Sequence, residues 1–219
     1  MRAVEYFDRV YGDNDRYWWQ GEDRYATDPD LYPRSLLTQQ TLRLLQGQPP
    51  GRALDLGAGE GPDAIRLALL RYQVDAVEVS RVAGAKIRRF AAEEGVSSRV
   101  NVVVADIEDY TPAGPYDIVI CNGVLHYIED KVPVISKMQA GTRVGGLNVI
   151  SLWSTFTSVP EYHTSVPAFC DDENGIVVKM YSSWEKKLLY FERDKAESAH
   201  SDLPPHRHSH IKIIACRTV

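Results

Sequence analysis

An apolar run gives way to alternating glycines in Ala53-Leu54-Asp55-Leu56-Gly57-Ala58-Gly59-Glu60-Gly61. Glycines so closely spaced let the backbone turn sharply and approach a ligand with no Cβ in the way. At the end of a parallel strand, such a turn opens the crevice where α/β sheets bind ligands. Asp55 stands two residues before the first glycine. A carboxylate there repels a pyrophosphate, and the spacing is GxGxG rather than the GxGxxG of dinucleotide loops. A positively charged ligand reverses the sign of that argument. S-adenosylmethionine, with its ammonium and sulfonium, is the adenosyl compound that an acid beside a glycine turn would favour.

More acids fall where strands are expected to end. Glu78 closes an apolar run beyond the loop and precedes Val79. A carboxylate at that place can accept both ribose hydroxyl protons. Asp106 follows Val103-Val104-Ala105 and could accept from an adenine amino group, with Ile107 against the ring. Asn122 ends a further run, which Asp117 opens as a turn or strand-start residue. The expected cofactor site is therefore Asp55, Gly57, Ala58, Gly59, Gly61, Glu78, Val79, Asp106, Ile107 and Asn122.

The acceptor side is less constrained. His126, four residues past Asn122, and His200 are the candidates for a base or orienting group. A base is needed only when the acceptor arrives protonated with a high pKa. Tyr17, Trp18 and Trp19 could form a lid, an aromatic wall for an organic acceptor, or a π surface for a cation. An amphipathic helix on the sheet edge would use the same residues. His206, His208 and His210 alternate, so a strand would put all three on one face, as imidazole ligation of a metal would need. The sequence sets no carboxylate or thiolate at a suggestive spacing beside them, and no metal is expected.

Strands and helices must alternate to bring these residues together. Short apolar runs at 52–56, 74–79, 100–104, 116–121 and 147–152 read as strands. Helices are expected after Pro62, through Val82, Ile87, Phe90 and Ala91, and from about Asp130 to Thr142. Pro62 and Pro133 are tolerable because each lies in a first turn. Gly145-Gly146 reads as a break before the fifth strand. Residues 174–184 could be a helix or an irregular turn, and runs at 187–192 and 210–217 suggest a hairpin at one sheet edge. The alternation implies a parallel sheet covered on both faces.

Composition narrows the class. The 219 residues are enough for one core, with 44% hydrophobic and 25% charged residues. Net charge is −5 at pH 7, which argues against a nucleic-acid surface. Cys121, Cys170 and Cys216 lie far apart, as free thiols of a reducing compartment do. With no long apolar run and no apolar stretch in the first residues, a cytoplasmic chain without membrane contact is expected. The expected assembly is a monomer or homodimer.

ALDLGAGEG, the Glu78 strand end, VVVADIEDY and YDIVICNGVLHYIED, in that order, resemble class I S-adenosylmethionine-dependent methyltransferases over roughly residues 34–219. The resemblance implies a doubly wound, Rossmann-like α/β fold with a seven-stranded sheet of order 3-2-1-4-5-7-6, strand seven antiparallel and helices on both faces. Residues 1–33 would then be an aromatic lid or cap segment. Within that superfamily the chain is similar to the tellurite-resistance, TehB-like methyltransferases. That likeness runs through Gly145–Ser151, Ser183-Trp184-Glu185, Leu189–Glu192, His200 and Ile211–Arg217. Ser201 follows His200 where the family has a basic residue, so tellurite itself is not implied. The expectation is methyl transfer to a small molecule, with tailoring of a natural product, a non-catalytic S-adenosylmethionine sensor and a nicotinamide-dependent reductase as alternatives.

Overall fold

The structure, a computed structural model, describes residues 3–17, 24–31, 35–160, 166–197 and 204–218. Its elements in chain order are α1 (Ala3–Gly12), α2 (Leu36–Leu45), β1 (Arg52–Leu56), α3 (Pro62–Leu69), β2 (Gln73–Glu78), α4 (Arg81–Glu93), β3 (Val100–Val104) and β4 (Tyr116–Asn122). They continue with α5 (Lys131–Gly141), β5 (Thr142–Trp153), α6 (Ile176–Met180), β6 (Glu185–Glu197) and β7 (His206–Cys216). The seven strands form one sheet of order β3-β2-β1-β4-β5-β7-β6. β1 to β5 pair in parallel, and β7 runs antiparallel to both β5 and β6.

Alternation along the strands sorts their side chains into two cores. Ala53, Ile118, Ile120, Val149 and Ile214 face one side, where Leu37 of α2, Ile65 of α3 and Ile87 and Phe90 of α4 meet them. Leu54, Leu56, Val119, Ile150 and Ile213 face the other, against Val134, Ile135 and Met138 of α5 and Val177 of α6. Strands buried on both faces read as continuous apolar runs, which is why β1 and β4 show no polar alternation. The helices start where their caps dictate: Ser35, Ser80 and Asp130 accept from the backbone N–H groups of Thr38, Ala83 and Val132.

Three boundaries differ from expectation. Gly145 and Gly146 lie inside β5 instead of before it. Gly145 takes φ 77°, and the β4–β5 register shifts between Tyr116 and Ile118, so the glycines relieve an irregularity without ending the strand. A Cβ on Gly146 would stand 2.9 Å from the carbonyl oxygen of Arg143 and 3.0 Å from that of Asp117. β6 and β7 are each longer than their apolar cores, because cross-strand pairing carries the ladder through polar residues to Glu197↔His206. The helix within 174–184 forms as α6. Among the described residues, no helix is long and apolar enough to cross a membrane.

Candidate functional site

β1 delivers the glycine loop to the carboxyl edge of the sheet. Gly57, Gly59 and Gly61 all take positive φ, at 69°, 56° and 83°. The N–H groups of Gly57 and Ala58 both donate to the Val77 carbonyl, at 2.8 and 3.0 Å, and so dock the loop on β2. A Cβ on Gly57 would lie 2.9 Å from Cγ1 of Val124 and nearer still to Cγ2. At Gly61 it would lie 3.0 Å from Ile87. Pro62 follows as the first residue of α3, where its missing N–H costs nothing.

The acids converge on this loop. Glu78, 5% exposed, accepts from the N–H of Gly59 at 2.8 Å and of Ser80 at 2.9 Å. Burial pushes its pKa up, opposed by those backbone donors. Asp55 is 3% exposed, and its Oδ2 has no hydrogen-bond partner among the described residues. Burial first, and then the charge of Asp63, hold its carboxyl well above the usual carboxylate range. Asp63 joins the loop to β4: it pairs with Arg66 at 2.5 Å and accepts from the Asn122 amide at 3.0 Å. The N–H of Ala105 donates to the Glu78 carbonyl at 3.1 Å, which brings the end of β3 alongside. Asp106 is exposed there, its Oδ1 accepting from the N–H of Glu108 at 2.9 Å, and Ile107 is buried beside it. Val79 continues from Glu78 and is half-buried. The ten expected cofactor residues thus lie along the carboxyl ends of β1 to β4. Asp117 stays apart, accepting from the N–H of Arg52 at 2.7 Å and pairing with Arg143 at 2.5 Å.

The amino-terminal segment crosses the same edge. From α1, Asp8 accepts from the Ser80 hydroxyl at 2.5 Å, and Phe7 meets Tyr127 edge-on at 5.4 Å. α1 therefore reaches from the end of β2 to the turn after β4. It packs on α4 rather than on a sheet edge. The N–H of Tyr17 donates to Glu60 at 2.7 Å, and Lys86 holds the other oxygen of that carboxylate at 2.8 Å. Arg16 pairs with Glu93 and lies 3.8 Å over the Phe90 ring. Sequence reasoning missed Glu60, Lys86, Asp8 and Ser80, whose polar groups signal nothing until the helices bring them together. Trp18, Trp19 and His200 lie outside the described residues.

His126 is 2% exposed and stacks on Trp153 at 4.0 Å. Its Nδ1 accepts from the Trp153 N–H at 3.3 Å, which puts the proton of the neutral ring on Nε2. His208 stacks on the same indole at 4.6 Å, and burial lowers its pKa to about 4, so the ring is neutral at pH 7. No carboxylate stands at a suggestive spacing from the alternating histidines along the chain, but pairing across strands sets Glu197 of β6 opposite His206. Between α2 and α3, a mainly apolar hollow floored by Ile120 and Val149 opens beside Asp63 and Asn122.

An orphaned acid oxygen, a side-chain-free turn and a second acid bound to that turn suit a cationic nucleoside better than a pyrophosphate. Known proteins point the same way. The family described as "Tellurite resistance protein TehB" matches residues 30–209. "Hemagglutinin 1" of Eikenella corrodens is 33% identical over 145 residues, which cover 65% of this chain and 46% of that protein. The "Probable S-adenosyl-L-methionine-dependent methyltransferase TehB" of Haemophilus influenzae strain 10810 is 27% identical over 138 residues, 62% of this chain and 46% of the other. The chain therefore spans about half the length of these curated relatives. The crystal structure of TehB from Haemophilus influenzae superposes with a TM-score of 0.71 at 21% identity, over 90% of this chain and 67% of that one. At that identity the superposition speaks for the fold.

Proposed function

For this chain, which belongs to the TehB family of tellurite resistance proteins and has the class I methyltransferase fold, we propose S-adenosylmethionine-dependent methyl transfer to a small-molecule acceptor. The observation that carries this reading is the buried pair of acids flanking a glycine turn at the carboxyl edge of the sheet, one of them with an oxygen left over.

Bound S-adenosylmethionine supplies a methyl group made electrophilic by its sulfonium. Asp55 and Glu78 offer the negative charge that a cation needs, and Glu78 keeps the turn open by holding the Gly59 N–H. Asp106 and Ile107 suit a purine edge and face. Asn122, held by Asp63, fixes the β4 side of the cleft. α1 and the Tyr17 segment lie across the edge and exclude water, so residues 1–33 act as a cap on a domain formed by 34–219. In-line displacement at carbon asks chiefly for positioning of the acceptor's lone pair. His126 is a positioning residue in this scheme, because its buried ring is fixed by Trp153. A thiolate, carboxylate or chalcogen oxyanion needs no base. The apolar hollow beside Asn122 and the aromatic cap support an organic acceptor.

The test uses the full chain, first with S-adenosylmethionine and S-adenosylhomocysteine in calorimetry. It then uses a panel of selenite, tellurite, thiols, phenols and amines, with S-adenosylhomocysteine formation as the readout. Binding followed by acceptor-dependent turnover is expected. Absence of heat and of thermal shift with either nucleoside overturns the site. Binding without turnover across the panel would favour the sensor reading over the enzyme.

A further inference from the structure

The end of the β6–β7 hairpin gathers three donors that the methyl-transfer reading does not use. Glu197, His206 and His208 each offer a ligand atom, and these atoms all lie within 4.8 Å of one another. The arrangement follows from strand geometry. His206 and His208 are two apart on β7 and share a face, and Glu197 is the direct cross-strand partner of His206. His206 and His208 are 6% and 3% exposed.

We propose that Glu197, His206 and His208 form a binding site for a first-row divalent transition metal, with zinc as its best match. Two imidazoles and one carboxylate are the borderline donors that Zn²⁺ takes with three protein ligands, leaving a fourth position for water or another oxygen donor. The tautomer of His206 fits the role. Its Nδ1 lies 2.8 Å from the carbonyl oxygen of Pro204, which can only accept, so Nδ1 carries the proton and Nε2 presents a lone pair. A ligating histidine anchored through its other nitrogen is the usual outer-shell arrangement of metal sites. Nε2 stands 3.6 Å from Oε2 of Glu197. That is too long for a hydrogen bond, and close to the ~3.3 Å between donors of a tetrahedral zinc implied by ordinary zinc–ligand distances. With all three donor atoms within 4.8 Å of one another, they need to close by at most about 1.5 Å to reach that spacing.

The neighbours assign the remaining charges. Lys195 holds Oε1 of Glu197 at 2.8 Å, which orients the carboxylate and leaves Oε2 toward His206. This ammonium opposes a second cation, but its side chain is 40% exposed, so water screens it. Of the other nearby acids of β6, Asp194 pairs with Arg207, and Glu192 is engaged by Lys212 at 2.8 Å and lies 3.3 Å from His210. His210 lies beside Glu192, outside the three-donor cluster. The site sits beyond Trp153, on whose indole His208 stacks, at the carboxyl edge that carries the acceptor side. A bound ion would tie the two strands at the end opposite Cys216, the β7 residue that pairs with Leu147 of β5.

The experiment titrates chelator-treated, untagged full chain with zinc chloride by calorimetry and follows its melting temperature. One equivalent bound and a raised melting temperature are expected in the parent protein. Glu197→Gln and His206→Ala should each lower affinity at least ~10-fold, the scale on which even outer-shell losses act. His210→Gln should bind as the parent does. Glu197→Gln is nearly isosteric on a half-buried residue, so it keeps the test decisive if His206→Ala fails to fold. Zinc binding of equal strength in Glu197→Gln and the parent, or no stoichiometric binding in the parent, overturns the proposal. Neither result bears on S-adenosylmethionine binding, which is read separately.

Discussion

Gly57→Ala isolates the steric argument for the turn after β1. The new Cβ would sit at φ 69° and 2.9 Å from Cγ1 of Val124, closer still to Cγ2. Carbon atoms pack comfortably at about 3.5–4.0 Å, and a valine has one stiff torsion with which to retreat. The left-handed backbone costs an alanine about 1–2 kcal/mol. Overpacking of this kind costs about 1–3 kcal/mol more. A total of about 2–5 kcal/mol lowers the melting temperature by about 4–20 °C in a domain of this size, at about 2–4 °C per kcal/mol. Val124→Ala strips both Cγ atoms and leaves only Cβ, 3.1 Å away, so it relieves the overlap and not the backbone term. Urea unfolding of the two single variants and the double variant should give a favourable coupling of about 1–3 kcal/mol. Val124 follows Asn122 and Gly123 directly, so the single Gly57 variant should also bind S-adenosylmethionine ~10-fold more weakly, about 1.4 kcal/mol. Strictly additive energies, or full affinity in Gly57→Ala, would refute the reasoning.

Glu78→Ala removes the acceptor of two backbone N–H groups and should weaken S-adenosylmethionine binding by roughly 1–3 kcal/mol in calorimetry; unchanged affinity takes Glu78 out of the site. Asp55 and Glu78 both have pKa values raised by burial, so the stability they contribute is present at low pH and is lost as pH rises through their folded values. Affinity for the cation should run oppositely, rising with pH across that window above the ordinary carboxylate range. Binding should then release protons, visible as heats that depend on the buffer, and identical heats in all buffers would contradict it. Tyr181→Phe leaves the buried Asn148 amide without the phenol oxygen it donates to at 2.7 Å, and should cost about 1–3 kcal/mol in urea unfolding. A loss well under that range would mean that the amide finds another acceptor.

What could be read from the sequence was local. The glycine turn, its preceding acid and the strand-end residues Glu78, Asp106 and Asn122 announce themselves through spacing along the chain, and the fold gathers them at one edge. The partners that hold them do not. Asp63 and Asn122 lie on different elements, and only packing of α3 against the end of β4 makes their hydrogen bond. Glu60 reads as a loop acid until α4 brings Lys86 and the amino-terminal segment brings the Tyr17 N–H. α2 was not expected, although Ser35 accepts from the Thr38 N–H at 3.3 Å as its cap. Its partly polar periodicity makes sense only once Leu37 has a sheet to cover. The same holds for Glu197, whose place opposite His206 is set by hairpin register that no spacing rule supplies.

The insertion of β7 between β5 and β6 sets an order of events for the newborn chain. β5, buried on both sides from Leu147 to Leu152, has no neighbour on its outer flank until the stretch beginning at His206 has been synthesised. Until then its unpaired amides and carbonyls form a sticky ribbon, the kind of surface that recruits chaperones or other half-made chains. Assembly of this sheet must therefore finish late, with the antiparallel strand closing a seam that the earlier parallel units leave open.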